Sequence, residues 1–262
     1  MNDIYLSLII NLSSGIIIFL LGLFWPVIPK SYRGVKLRKF WSKHVVGRDF
    51  VIAFGALKDS RLAQPSLPCP PQTRCRNFRY VKTYHNGNTI SLVGPWSNVV
   101  SECEIRSASY IINTLSAYRK TPVIVMDDTT AYTTLDRTFV SLGSPSSNEI
   151  TNLVIRDPEN KYLEFAQPGS VTIIRDKING RQFVGFQPPY IKDYGMILKI
   201  PNTRFPGHYF FVCAGLGEWG TSGASWYLAT KWRELKKIFG DAFGVVVEVE
   251  IGSDESAKRV FP

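Results

Sequence analysis

Three short stretches of the sequence combine residue types that suit phosphate binding. They are LVGPWSNVVSE (92–102), SLGSPSSNEIT (141–151) and CAGLGEWGTSGAS (213–225), and each is typical of a strand end, a glycine-containing turn and a helix start. A helix N-terminus offers unpaired N–H groups and about half a positive charge, which favours a phosphate there. Glycine lets the backbone approach a ligand closely, and hydroxyl groups add donors. If the three loops meet, the residues predicted to bind a nucleotide are Gly94, Ser97, Asn98, Gly143, Ser146, Ser147, Asn148, Gly217, Gly220, Thr221 and Ser222.

Helix capping is the alternative interpretation of the same loops. A strand-to-helix connection needs glycine for its turn, and Ser or Asn caps a helix whether or not a ligand binds. None of the loops has the G-x-x-x-x-G-K-[ST] pattern of a P-loop. GLGEWG (215–220) has only the spacing of G-x-G-x-x-G, and it follows a late strand, whereas a dinucleotide fingerprint follows the first strand of its domain. Both interpretations therefore stay open.

The sequence assigns no catalytic residue. A G-x-S-x-G nucleophile elbow is absent, and the three histidines are scattered along the chain. Three glutamates in or near the loops can supply a general base for attack on a glycosidic bond, although acidic residues in a first helical turn are also ordinary partners of the helix dipole. These glutamates are Glu102, Glu149 and Glu218.

The four cysteines do not form a recognisable metal site. Cys69 and Cys75 lie in CPPQTRC, which can close a small disulfide loop in an oxidising compartment but should hold free thiols in the cytosol. With His85 and Cys103 as the nearest further ligands, the spacing fits no standard zinc pattern. We therefore predict no metal.

Apolar runs alternate with amphipathic segments after residue 48. The run at 49–57 predicts a first strand, and 99–118 is apolar at three- and four-residue steps, which predicts a helix. Asn179-Gly180 within 171–186 predicts an antiparallel hairpin inserted into the sheet or laid on its edge. The alternation predicts an α/β fold with a Rossmann-like, mostly parallel sheet. Further strands are predicted at 89–93, 121–128, 137–142, 193–200, 208–215 and 244–251, and further helices from Ser147 and over 222–239.

The N-terminal segment has the length and composition of a membrane span. Residues 4–25 run for 22 positions without a charge, roughly 33 Å of helix at about 1.5 Å per residue, against a hydrocarbon core of about 30 Å. A secretory signal peptide would favour a basic start and a small-residue cleavage site, whereas this chain has Asp3 at the start and Trp25-Pro26 at the end. We therefore predict a transmembrane helix over 1–29.

The flank of this helix predicts its orientation. Residues 30–48 carry seven Lys or Arg and no acid, so the positive-inside rule places the N-terminus outside the cell and a domain over 49–262 in the cytosol. We interpret 30–48 as a basic juxtamembrane linker of a single-pass protein of the cell membrane. Four aromatic residues in and before this linker suit either an interfacial aromatic collar or the first core residues of the domain: Trp25, Tyr32, Phe40 and Trp41.

The net charge of +10 is concentrated beside the predicted membrane helix. Residues 30–82 hold thirteen Lys or Arg against two Asp, a net of +11, while residues 83–262 hold eighteen charges of each sign. This distribution favours contact with anionic lipid head groups over binding of a nucleic acid duplex.

Small and polar residues recur on one stripe of the predicted membrane helix. Such residues allow close backbone approach and hydrogen bonds between helices, and a lone amide facing lipid is costly. We therefore predict a homo-oligomer formed through the transmembrane helix. The stripe consists of Ser7, Asn11, Ser14, Gly15 and Gly22.

The order of these parts resembles a known class of proteins. A membrane helix, a basic linker and a Rossmann-like domain with the segments GSPSSN, DYG and GLGEWGTSGA resemble membrane-anchored effectors of bacterial nucleotide-signalling defence, whose sensor domains are CARF-like or SLOG-like. The resemblance implies a nucleotide-sensing antiphage effector, in which a second messenger binds at the strand–helix loops and reorganises membrane helices. A membrane-tethered nucleotide or NAD glycohydrolase and a protein-binding scaffold are the alternatives.

Overall fold

The computed structural model describes residues 27–55, 78–83, 89–94, 100–119, 121–185 and 191–262, with side chains from residue 34 onward except in the two short segments 78–83 and 89–94. A short 3-10 helix covers Lys43–Val46. The helices are α1 (Val27–Trp41), α2 (Glu102–Ser116), α3 (Asp128–Tyr132), α4 (Glu149–Ile155) and α5 (Glu218–Phe239). The strands are β1 (Phe50–Phe54), β2 (Phe78–Thr83), β3 (Thr89–Gly94), β4 (Ile124–Asp127), β5 (Thr138–Leu142), β6 (Leu163–Ala166), β7 (Ile173–Asp176), β8 (Gln182–Val184), β9 (Lys192–Pro201), β10 (Tyr209–Gly215), β11 (Phe243–Glu250) and β12 (Ser253–Phe261).

The central sheet has seven strands in the order β12-β11-β9-β10-β5-β1-β4. Strands β4, β1, β5 and β10 form a parallel block, and β9, β11 and β12 continue the sheet with antiparallel pairings. Only β9 and β12 run against the other five strands, so the prediction of an α/β fold with a mostly parallel sheet is confirmed.

The antiparallel half of the sheet follows from short connections. A parallel pair needs a crossover of a dozen or more residues, whereas a short turn can only return the chain antiparallel. The segment between β9 and β10, residues 202–208, is such a turn, and only residues 251–252 separate β11 from β12. The strand predicted at 193–200 is therefore antiparallel to both of its neighbours and not part of the parallel block.

Two predicted strands belong to other sheets. Residues 89–93 lie in β3, which pairs antiparallel with β2 in a separate two-stranded sheet, so this segment is not the second strand of the parallel block. The hairpin around Asn179-Gly180 is confirmed as β7 and β8, but it pairs with β6 in a three-stranded sheet instead of joining the central one. Gly180 has a φ of +71°, the left-handed conformation that the tight turn requires.

Alternating side chains along the central strands form two cores on opposite faces of the sheet. In β1, Phe50 and Ile52 face the core shared with α1, α2 and α5. Val51 and Ala53 face the core shared with α3, α4 and the three-stranded sheet. The central sheet is therefore covered on both sides, as expected for parallel strands with apolar residues at successive positions.

The C-terminal end of α1 is part of the first core. Phe40 and Trp41 are fully buried, and the Phe40 ring lies 5.8 Å from those of Phe211 and Trp232 and 6.2 Å from that of Phe243. The segment predicted as a linker is thus helical up to Trp41, and Phe40 and Trp41 are core residues. The folded domain begins before residue 49, the predicted boundary.

Phe40 also covers a buried cation on β9. The side chain of Lys199 is fully buried, and its Nζ lies 4.9 Å from the ring centroid of Phe40 and 4.6 Å from that of Tyr209. Burial lowers the pKa of Lys199 to about 8, against the attraction of Asp241, whose Oδ1 is 3.5 Å away. Aromatic faces stabilise a desolvated ammonium group, so α1 shields a charge as well as apolar surface.

No helix in the described part of the chain has the length and hydropathy needed to cross a bilayer. The predicted transmembrane helix, 1–29, lies outside that part except for its last three residues, which belong to α1. The membrane span, its orientation and the helix–helix stripe remain predictions.

The α1 contact predicts a large loss of stability on truncation of Phe40. Phe40→Ala should lower the free energy of unfolding by about 3–5 kcal/mol, because it leaves a cavity and uncovers Lys199. Chemical denaturation of the full chain in detergent micelles measures this. Lys39→Ala, at the exposed neighbouring position, should change stability by no more than about 0.5 kcal/mol. Equal effects of the two substitutions would contradict the packing of α1.

Candidate functional site

The carboxyl ends of β1 and β5 form the topological switch point of the sheet. These strands are parallel neighbours, but α2, which follows β1, contributes Ile111 and Leu115 to the first core. Helix α4, which follows β5, contributes Ile150 and Val154 to the second core, on the opposite face. In α/β sheets a crevice opens where successive helices leave in opposite directions, and ligands bind there.

The loop from Gly143 to Asn148 begins at this switch point. Gly143 has a φ of +102°, and its N–H donates to the carbonyl oxygen of Cys213 at 3.0 Å, which joins the ends of β5 and β10. The hydroxyl groups of Ser144 and Ser146 are 2.8 Å apart, and Ser146 is exposed. Half-buried Ser147 donates from Oγ to the carbonyl oxygen of Ser144 at 3.2 Å. Two serine hydroxyls are thus presented together at the surface.

Asn148 is a helix cap with all of its polar groups engaged. Its Oδ1 accepts from the N–H of Thr151 at 3.1 Å and from the hydroxyl of Ser141 at 2.9 Å, while Nδ2 donates to the carbonyl oxygen of Leu142 at 2.8 Å. Its side chain is buried. For this residue the structure favours the capping interpretation over ligand contact.

The N-terminus of α5 already holds an internal carboxylate. Asp193 on β9 is fully buried and accepts from the N–H groups of Gly220 at 2.6 Å and Tyr194 at 2.7 Å. Burial raises the pKa of Asp193, and the backbone donors, Gly217 among them, act against that rise. A helix N-terminus attracts one anion, and here the chain supplies it.

The polar residues that follow in α5 are engaged in the same way. The Thr221 hydroxyl accepts from the N–H of Gly215 at 2.9 Å, and the Ser222 hydroxyl donates to Asp254 and accepts from Nη2 of Arg106 at 3.2 Å. Both side chains are buried. These two hydroxyls tie the start of α5 to β10, α2 and β12.

The glycines of GLGEWG serve close packing. A β-carbon on Gly220 would overlap the carbonyl oxygen of Tyr194, and one on Gly195 would overlap the carbonyl oxygen of Gly220. Helix α5 can therefore approach β9 only because both positions lack a side chain. The match to G-x-G-x-x-G reflects helix–strand packing in this structure.

The structure describes the second and third loops in full and the first loop only at its two ends. Gly94 ends β3 in the separate two-stranded sheet. Ser97 and Asn98 lie outside the described residues. The second and third loops are neighbours through the Gly143–Cys213 hydrogen bond.

A cleft with a volume of about 680 Å³ opens beside these two neighbouring loops. It is lined by Ser144–Ser146, by residues at the C-terminal end of α4, by Glu164–Gln167 in and after β6, and by Gly215 and Leu216 at the end of β10. This volume lies within the range of about 300–1,000 Å³ that small-molecule sites occupy. Of the residues predicted for ligand binding, Ser146 lines this cleft.

The cleft joins an apolar wall to cationic and hydroxyl groups. Ile155, Phe165 and Leu216 provide apolar surface, while exposed Arg156 and Lys177 provide positive charge. Lys177 also donates to the carbonyl oxygen of Asn160 at 2.7 Å. The acid in the lining, Glu164, accepts from Nε of Arg175 at 2.7 Å. This chemistry suits a ligand with a flat apolar part and an anionic part.

Glu104 lies on the other side of the Gly143–Asn148 loop, at the switch point itself. Its carboxylate is buried, and Oε1 accepts from the N–H of Gly55 at 3.2 Å. A β-carbon on Gly143 would lie 2.7 Å from this oxygen, so the glycine leaves room for the carboxyl group. Burial raises the pKa of Glu104 to about 7; backbone N–H donors oppose the rise, and the charge of Asp128 adds to it. A carboxyl group of this kind can exchange a proton near neutral pH.

The glutamates singled out from the sequence have different surroundings. All three are exposed; Glu102 forms an ion pair with Arg106 at 2.6 Å, and the N–H of Glu149 donates to Asp128 at 2.7 Å. Glu104 was not predicted from the sequence, although its position in the apolar pattern of α2 indicates a buried acid. It shares the buried stripe of α2 with Ser107, Ile111 and Leu115, where an acid is unusual.

The described residues contain no group of three or more His, Cys, Asp and Glu side chains arranged to hold a metal ion. Cys103 and Cys213 are buried free thiols, and burial raises their pKa values to about 11 and about 12, so both are protonated at neutral pH. Cys69 and Cys75 lie outside the described residues. A thiolate nucleophile is therefore not available at Cys103 or Cys213.

Searches of protein-family models, curated proteins and solved structures find no match to this chain.

The environment of Glu104 predicts a characteristic pH dependence. Its folded pKa of about 7 exceeds the ordinary value of 4.5, so its contribution to stability is complete below pH 4.5 and is lost as the pH rises through 7. The free energy of unfolding of the wild-type chain should fall by on the order of 3 kcal/mol between pH 4.5 and pH 8, relative to that of Glu104→Gln, which keeps an acceptor for Gly55. Denaturant unfolding of both chains across this range measures the difference. A difference that does not change with pH would contradict the assignment.

Proposed function

We propose that this protein is a membrane-anchored sensor whose cleft beside β5 and β10 binds a nucleotide-type ligand. One observation carries the proposal: about 680 Å³ of cleft unites an apolar wall with serine hydroxyls and an exposed arginine, next to the switch point of the sheet. A nucleotide needs both kinds of surface, because its base is flat and apolar on its faces and its phosphates are anionic. The predicted membrane helix supplies the anchor.

In this proposal the phosphates lie near Arg156 and the hydroxyls of Ser144 and Ser146. The guanidinium group of arginine matches phosphate with two parallel N–H donors, and hydrogen bonds between charged groups are the stronger ones. Phe165, which also lines the cleft, is half-buried and offers an aromatic face on which a base can stack.

Strand β10 connects the proposed site to the membrane-proximal helix. Its last residue, Gly215, lines the cleft, and Phe211 on the same strand lies 5.8 Å from Phe40 and 5.1 Å from Trp41 between ring centroids. A shift at the end of β10 therefore has a rigid, buried route to α1. The proposal also includes a homo-oligomer formed through the membrane helices and the antiphage role that the resemblance implies.

The proposal predicts ligand-dependent stability in the full chain. In detergent micelles, a nucleotide present at about 100 times its Kd should add about 2.7 kcal/mol to the free energy of unfolding, because it binds only the folded state. The panel consists of inorganic phosphate, AMP, ATP, NAD and cyclic mono- and dinucleotides, with thermal unfolding as the readout. Arg156→Glu should weaken binding at least about tenfold through loss of a charged hydrogen bond. Arg204→Glu, the same change at an exposed arginine between β9 and β10, should leave binding unchanged.

Each other outcome of this assay has a defined meaning. No shift with any compound would contradict nucleotide binding and leave the protein-binding scaffold as the better interpretation. Turnover of NAD or a nucleotide by the wild-type chain, and its loss in Glu104→Gln, would instead support the glycohydrolase. The base would then be Glu104, because its buried carboxyl group exchanges a proton near neutral pH.

A further inference from the structure

Basic side chains from distant parts of the sequence meet at the amino ends of the parallel strands. This edge is formed by the starts of β1, β10 and β11 and by the C-terminal ends of α1 and α5. We call its cations the basic edge, and all except half-buried Lys236 are exposed. The basic edge consists of Lys39, Lys43, Arg48, Arg204, Lys236 and Lys237.

Contacts in the structure show that the two halves of this set are close. A β-carbon on Gly207 would lie 3.6 Å from Nζ of Lys43, which places Lys43 against the turn that carries Arg204. The pKa of Lys236 is lowered, chiefly by burial and further by the charge of Lys39, although Asp241 opposes this. Residues of the membrane-proximal segment and of the distal domain therefore share one surface.

Three acidic residues of this edge lie close to basic side chains outside this set. Asp49 lies 3.4 Å from Nδ1 of His44, and Oδ1 of Asp136 lies 4.0 Å from Nε of Arg137. Asp241 lies 3.5 Å from Nζ of buried Lys199. The exposed cations of the basic edge thus keep a net positive field.

The opposite edge of the sheet has the reverse character. Exposed Glu102, Glu149 and Glu218 stand at the starts of α2, α4 and α5, at the carboxyl ends of the parallel strands. Exposed glutamates therefore stand at the carboxyl ends of the parallel strands, and the basic edge lies at the end near α1. The cleft itself is lined by the cations Arg156 and Lys177.

We propose that the basic edge lies against the anionic surface of the bilayer, so that the ligand cleft faces away from the membrane. The proposal rests on the membrane anchor of the proposed function and adds Arg204, Lys236 and Lys237 to the lipid-facing surface. Helix α1 then lies along the bilayer, and Pro26 and Pro29 favour a bend where the chain leaves the membrane axis. Anionic head groups attract basic residues over one Debye length, about 8 Å, and salt screens that attraction.

Hydrogen exchange of the full chain in nanodiscs tests this orientation. One set of discs contains neutral phosphatidylcholine alone, and the other contains in addition an anionic lipid, phosphatidylserine. Peptides covering 203–208 and 236–241 should exchange more slowly in anionic than in neutral discs, and salt should remove the difference. Peptides covering 144–149 should be unaffected. Arg204→Glu or Lys237→Glu should reduce the lipid effect about fivefold or more. Lys258→Glu, at an exposed lysine beside Glu248 towards the far end of β11, should not.

The outcomes separate this inference from the proposed function. Equal exchange in both kinds of disc overturns the lipid-facing basic edge, whatever the nucleotide assay shows. Slower exchange caused by duplex RNA or DNA, and none caused by anionic lipid, overturns it in favour of nucleic acid. If the chain does not enter discs, the membrane anchor fails, and sedimentation with vesicles of the same compositions becomes the test. Salt-sensitive binding to anionic vesicles alone supports the lipid-facing basic edge. No binding to either kind of vesicle overturns it.

Discussion

The packing of α1 against β10 and α5 is the contact on which the other proposals depend. Phe40 and Trp41 are buried among the aromatic side chains of Phe211, Trp232 and Phe243, and Phe40 also covers the ammonium group of Lys199. This contact makes the segment after the predicted membrane helix a structural part of the α/β domain. The proposed function uses it as the route by which a displacement within the sheet reaches α1.

The second determinant is that the chain satisfies its own helix N-termini. Asp193 occupies the start of α5, and Asn148 caps α4, so the groups that looked ready for phosphate are already bonded within the fold. What remains open is the surface beside them, where Ser144, Ser146, Arg156 and Phe165 line the cleft. The proposed site therefore lies one strand away from the crevice that holds Glu104.

Much of the fold was predictable because its signals are local. Apolar runs located β1, β5 and β10, and Asn179-Gly180 located the β7–β8 hairpin. The direction of a strand has no local signal: β9 is antiparallel to β10 because a short turn joins them. Strand β2, which pairs with β3, was not predicted, although its residues alternate and Asn86-Gly87 follows it. The candidate site was less predictable, because Gly, Ser and Asn have the same pattern whether they cap a helix or bind phosphate. Only the buried partner, such as Asp193, distinguishes the two roles.

The most direct test of this account is the stability of two shortened chains. One begins at residue 27 and keeps α1, and the other begins at residue 45 and lacks Leu37, Phe40 and Trp41, all of which are fully buried. The account predicts that the longer fragment unfolds in one cooperative thermal transition and that the shorter one melts at a much lower temperature or without a cooperative transition. Equal melting temperatures for the two fragments would show that α1 is a linker after all, and would contradict the proposed route from the cleft to the membrane.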